Sequence, residues 1–133
     1  MSPVFLDTVG LLAIWDTSDQ WHEAASSAYR LMLEQGRSLT TTPQVLNECG
    51  NAASRRAYRE DVCALRELLL DERLLVEPSG EEIDDAWVEF REGEPGDAGI
   101  VDLISFAVMR RLGLTDAFTN DRHFKVAGFT TLF

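Results

Sequence analysis

The stretch GIVDLISFAVMRRLGLTDAFTNDRHF, residues 99–124, decides the fold. Its first half, 99–111, reads as a strongly apolar helix, and LTDAFT (114–119) as the strand that follows. From Ala98 to Met109 the only polar residues are Asp102 and Ser105, three apart and therefore on one helical face. A carboxylate amid that much apolar surface is costly unless something pairs with it. A first-turn acid does gain roughly 0.3–1 kcal/mol from the helix dipole, but that accounts for an exposed acid better than for this one. Past the strand, Asp121 stands where the chain leaves a core.

Working outward, short apolar runs alternate with helical stretches. PVFLD (3–7) ends in an acid, as a buried parallel strand would. Helices are expected at about 9–16 and over 20–35, the second stopped by Gly36. SLTTT (38–42) suits a second strand, after which Thr42 and Pro43 open a helix as N-cap and first-turn proline. VCALRELLLDE (62–72) reads as an amphipathic helix and LLVEP (74–78) as a third strand. Ser79 with Glu82 forms a capping box for a helix over 80–91. Residues 92–99 read as a loop, with Asp97 as an N-cap, and FTTL (129–132) as a further strand. This alternation implies an α/β domain with a central, mostly parallel sheet of four to five strands covered by helices on both faces. With 133 residues and no linker, repeat or low-complexity tract, residues 1–133 are expected to form a single domain.

In such sheets ligands bind beyond the carboxyl ends of the strands. Asp7 closes the first strand, Glu48 lies in the second turn of the helix after the second strand, and Asp102 and Asp121 flank the strand at 114–119. Each acid alone has a structural reading: Asp7 as a helix cap, Glu48 as a solvated helix residue, Asp121 as a turn former. Together they occupy one end of one sheet. Four carboxylates in one cleft repel one another and are raised in pKa unless cations neutralise them. Mg²⁺ or Mn²⁺, hard ions that take oxygen ligands and keep waters, are the cations such a cluster calls for.

The charge balance narrows the function. There are 23 acids against 12 bases, a net charge of -11, and Lys125 is the only lysine. A module that grips nucleic acid by general electrostatics carries a basic face, so plain nucleic-acid binding is disfavoured. An enzyme reaching phosphates through divalent cations is not. The cluster Arg55, Arg56 and Arg59 is either a local basic patch for RNA or a solvated helix end. No apolar run approaches a membrane helix and the N-terminus lacks a basic signal-peptide start, so a cytoplasmic protein without membrane contact is expected. Cys49 and Cys63 match no zinc spacing and read as buried thiols of a reducing compartment. There is no GxGxxG after the first strand, no GxxxxGK[ST] and no G-x-S-x-G. His22 and His123 are too few and too far apart for zinc, and His123 reads as a structural partner in the DRHF turn rather than a base.

VFLDTVG (4–10), TTPQVLNE (41–48), GIVDLISFAVMRRLGL (99–114) and AFTNDRHFKVAGF (117–129) together resemble the successive motifs of PIN-domain ribonucleases, and in particular the small VapC-type toxins of toxin–antitoxin pairs. The likeness spans nearly the whole chain. It implies a three-layer α/β/α PIN-like fold and a Mg²⁺-dependent endoribonuclease. Asp7, Glu48, Asp102 and Asp121 would be its metal-holding and catalytic acids, with Thr8 as a supporting polar contact. Asp97 would be an auxiliary acid or only a cap. The implied partners are an RNA substrate, a small antitoxin with a basic C-terminal segment, and a second copy of the chain in a homodimer. Trp15, Trp21 and Tyr29 would offer the antitoxin an aromatic groove, or are simply core. A rival reading is a PIN-like binding module that acts through protein contacts, and a further one is a PIN nuclease of RNA processing with no antitoxin.

Overall fold

The computed structural model describes residues 2–93 and 97–133. Four short strands, β1 (Val4–Leu6), β2 (Leu39–Thr40), β3 (Asp116–Phe118) and β4 (Thr130–Thr131), form one sheet in the order β2-β1-β3-β4. Every pairing is parallel, with Phe5 opposite both Thr40 and Ala117. Successive strand residues point to opposite faces, yet Val4, Phe5 and Leu6 are all fully buried. Both faces are therefore covered, which makes the domain three-layered.

The covering helices are α1 (Thr8–Trp15), α2 (His22–Glu34), α3 (Pro43–Ala53), α4 (Arg59–Asp71), α5 (Gly80–Glu92), α6 (Ile100–Leu112) and α7 (Arg122–Val126). Their ends follow local chemistry. Asp7 caps α1 by accepting from the Val9 amide, Thr42 caps α3 with Pro43 in its first turn, and Ser79 with Glu82 makes both bonds of a capping box on α5. Gly113 closes α6 at φ 68°, in left-handed backbone that only glycine adopts without strain. The core joins strands to helices: Tyr29 of α2 lies 5.5 Å from Phe118, and Phe106 of α6 meets Phe124 edge-on at 4.9 Å.

Several expectations are corrected. LLVEP (74–78) is no strand; it makes one parallel bridge, Leu75 to Thr41. The segment 122–126, read as a turn, is a short helix. Asp97 does not cap α6, since Gly99 holds that position and Asp97 is an exposed residue at φ 66°. Of the loop expected over 92–99, residues 94–96 lie outside the described residues. Cys49 is buried as expected, whereas Cys63 is exposed, and both are free thiols. Trp15 and Tyr29 pack against the core while Trp21 is exposed, so they do not line one groove. No helix among the described residues is long and apolar enough to cross a membrane.

Gly10 shows how tightly α1 seats on the sheet. A Cβ there would stand 2.1 Å from the Phe118 carbonyl oxygen, which is backbone and cannot step aside. Gly10→Ala is expected to destabilise the fold by about 1–3 kcal/mol, read as a lower midpoint in urea unfolding. An unchanged midpoint would mean that α1 shifts freely over β3.

Candidate functional site

The chain passes from β1 outward to β2, then returns to the other side of β1 for β3. The sheet order therefore reverses between β1 and β3, and the crevice beyond their carboxyl ends is where an open parallel sheet offers a site. Asp7 follows β1 directly, and Asp121 lies three residues past β3 and caps α7, its Oδ1 accepting from the His123 amide at 2.9 Å. α3 carries Glu48 and the first turn of α6 carries Asp102.

Thr119 ties the two strand ends together. Its fully buried hydroxyl donates to Asp7 Oδ2 at 2.8 Å and accepts from the Asp121 amide at 3.1 Å. On the other side Thr8 Oγ1 donates to Glu48 Oε1 at 2.5 Å. One ligand atom each from Asp102, Asp121 and His123 lies within 4.8 Å of the other two. His123 Nδ1 sits 2.8 Å from Asp121 Oδ1, the turn partnership expected of it, but the ring also stands among the acids. Asp7 and Glu48 fall outside that cluster of three. Asp7 is only 1 % exposed, while Glu48 is exposed on α3. Asp97 is not drawn in, and Ser105 turns back to the Val101 carbonyl.

The electrostatics show the acids feeling one another. Burial, then the charges of Asp102 and Asp121, push the Asp7 carboxyl up to about 7 against the hydrogen bond from Thr119. Burial, then Asp121 and Glu48, push Asp102 up to about 6, with His123 opposing. Burial leads both shifts, and the like charges of the neighbouring acids add to it. The donor set, carboxylate oxygens with one imidazole, suits a hard or borderline divalent ion. Burial pushes the neighbouring Cys49 thiol up to about 12, so it is a packing residue rather than a nucleophile. Thr119 and His123 belong to the site's geometry although neither was expected to have a role in it. Their signal was the T-x-D-x-H spacing itself, which sets two side chains beside Asp121.

Fold and crevice define a parallel α/β protein with an acid-lined site at the switch point of its sheet. Residues 4–130 match the PIN domain, and the chain belongs to that family. It is 28 % identical over 127 residues to the 23S rRNA-specific endonuclease VapC20 of two Mycobacterium tuberculosis strains, a match covering 95 % of each chain. The crystal structure of Mycobacterium tuberculosis VapC20, a Sarcin-Ricin loop cleaving toxin, superposes with a TM-score of 0.79 at 26 % identity over 96 % of both chains. The fold is shared with VapBC2 from Rickettsia felis bound to a DNA fragment from their promoter, at a TM-score of 0.64, 14 % identity and 96 % coverage of both chains.

Proposed function

We propose that this protein is a divalent-metal-dependent endoribonuclease that hydrolyses RNA phosphodiester bonds as the toxin of a type II toxin–antitoxin pair. The observation that carries the reading is the convergence of Asp102, Asp121 and His123 in the crevice of a PIN domain, with Asp7 and Glu48 in electrostatic contact with Asp102. Its likeness to VapC20, named for cleaving 23S rRNA, makes a structured rRNA loop the first substrate to test. Asp7, Glu48, Asp102 and Asp121 would hold Mg²⁺, with Mn²⁺ as the alternative; bound there, the ion supplies an activated water and neutralises charge on the scissile phosphate. The protein's own part is to hold carboxylates at fixed positions: Thr119 aims Asp7, Thr8 aims Glu48, and the α7 amide at His123 aims Asp121. The partners in this reading are a small antitoxin with a basic C-terminal segment, whose arginine would pair with the acids, and a second copy of the chain. The cytoplasm, where ribosomal RNA is found, is the compartment that fits.

The test is cleavage of a structured rRNA fragment in Mg²⁺, in Mn²⁺ and in EDTA. Cuts at discrete positions with either metal and none in EDTA are expected. Intact RNA under all three conditions would end the nuclease reading and leave a binding module. Within that assay, Thr119→Val should lower kcat by roughly 10–100-fold with KM little changed, the scale seen when a support of a metal-holding group is lost. Thr119→Ser, which keeps the hydroxyl, should recover most of the rate. Equal loss in both variants would show that Thr119 acts by packing alone.

A further inference from the structure

On the endoribonuclease reading, a chain of net charge -11 must still accept a polyanion, and the crevice itself is acidic. Some other surface has to supply the attraction. Several arginines are already committed: Arg37 is paired with Asp116 and Arg111 with Glu82. Arg55, Arg56 and Arg59 are not. All three are exposed, Arg55 and Arg56 in the α3–α4 turn and Arg59 as the first residue of α4, and none forms a salt bridge or side-chain hydrogen bond among the described residues. Asp16, whose carboxyl is held low chiefly by Ser18, also feels Arg56. Glu60 and Asp61 follow Arg59 in the first turn of α4, so the positive charge is concentrated on Arg55 and Arg56 with Arg59 at the edge.

The turn is anchored rather than loose. The Arg56 amide donates to the Ala53 carbonyl at 2.9 Å, and buried Tyr58 stacks on Trp15 with centroids 6.3 Å apart. That stack also locates it. α1 is capped by Asp7 and ends at Trp15, while α3 passes Glu48 and ends at Ala53. At about 1.5 Å per residue, both helices place the turn roughly 10 Å from the crevice. Beside Arg59, a cavity between α3 and α4 is lined by Gly50, Ala53, Ser54, Val62 and Cys63, with no carboxylate among them to repel a phosphate.

We propose that Arg55, Arg56 and Arg59 form a phosphate-docking patch for structured RNA, gripping a strand roughly 10 Å, or about three nucleotides at ~3.4 Å each, from the acidic crevice. Long structured substrates reach both places, and very short ones reach only the crevice. The patch supplies binding remote from the reacting phosphate, so it acts on KM rather than kcat.

The experiment compares the wild type with the triple variants R55A/R56A/R59A and R55K/R56K/R59K. Binding of a fluorescent rRNA hairpin is followed by anisotropy in EDTA across a salt series, which reads docking without cleavage. The alanine variant should bind more weakly, and its salt slope should fall by about one per lost phosphate contact. The lysine variant should stay near wild type, because a phosphate accepts a point charge as well as a fork. In Mg²⁺ the alanine variant should raise KM for the hairpin by about tenfold or more with kcat kept, and should cleave a tetranucleotide at the wild-type rate. Unchanged affinity and slope in the alanine variant would overturn the proposal. So would unchanged RNA binding combined with lost antitoxin capture, which would assign the arginines to a protein partner. Patch-dependent binding by a wild type that cuts no RNA would uphold the patch while ending the nuclease reading.

Discussion

Asp102→Asn is expected to fold normally and to cleave RNA slower by at least about 10²–10³-fold, the scale of losing one preorganised charged group from an active site. Asp102 sits in the first turn of a helix whose next residues, Leu103 to Phe106, are all buried, and its carboxylate faces Asp121 and His123. Asparagine keeps the shape but brings an uncharged amide where anionic oxygen is needed. Because the variant removes one of several mutually repelling charges, its melting temperature in EDTA at neutral pH should rise above the wild type's. Asp97→Asn is the control: Asp97 is exposed and outside the cluster, so its cleavage rate should not change. Cleavage of an rRNA fragment by Asp102→Asn at the wild-type rate would remove Asp102 from the site.

Those residues differ in how far the sequence revealed them. Asp102 was conspicuous because Ser105 is the only other polar residue from Ala98 to Met109, and the α6–β3 unit was legible for the same reason: a long apolar run followed closely by a second. Caps at Thr42 and Ser79 were equally local and hold as read. What failed was non-local. LLVEP has a strand's composition, but β2 beside it is only two residues long, and the Leu74 carbonyl accepts from the Thr40 hydroxyl rather than from a backbone amide. Pro78 then removes a donor. α7 spans five residues, too few for helical periodicity to register, so its start at Asp121 looked like a turn. Thr119 reaches Asp7 across 112 positions, a contact that no local pattern encodes. Its identity becomes meaningful only once β1 and β3 are known to be neighbours.

Without metal, the protein should lose stability as pH rises from about 4 to 7. Asp7 moves from 3.8 to about 7 on folding and Asp102 from 3.8 to about 6. A carboxyl raised by folding favours the native state fully while both states are protonated, and that advantage disappears as pH climbs through the folded value. For Asp7 the gap, at roughly 1.4 kcal/mol per pH unit, is on the order of 4 kcal/mol. Below about pH 4 the trend reverses, because Asp16 and Glu82, held low by hydrogen bonds to Ser18 and Arg111, become protonated and lose those contacts. The apo protein should therefore be most stable near pH 4. A divalent ion competes with the protons on Asp7 and Asp102, so added Mg²⁺ should raise the melting temperature strongly at pH 8 and hardly at pH 5. At a hundredfold excess over Kd the gain is about 2.7 kcal/mol, or roughly 10 °C for a domain of this size. Asp7→Asn should flatten the decline between pH 4 and 7 in EDTA, which separates this carboxyl from the general repulsion of an acidic chain. Melting curves at half-unit pH steps, with EDTA and with Mg²⁺, decide the matter. A wild-type melting temperature that is level from pH 4 to 7 in EDTA, or a Mg²⁺ effect equal at pH 5 and pH 8, would mean that Asp7 and Asp102 are not the acids that compete for the ion.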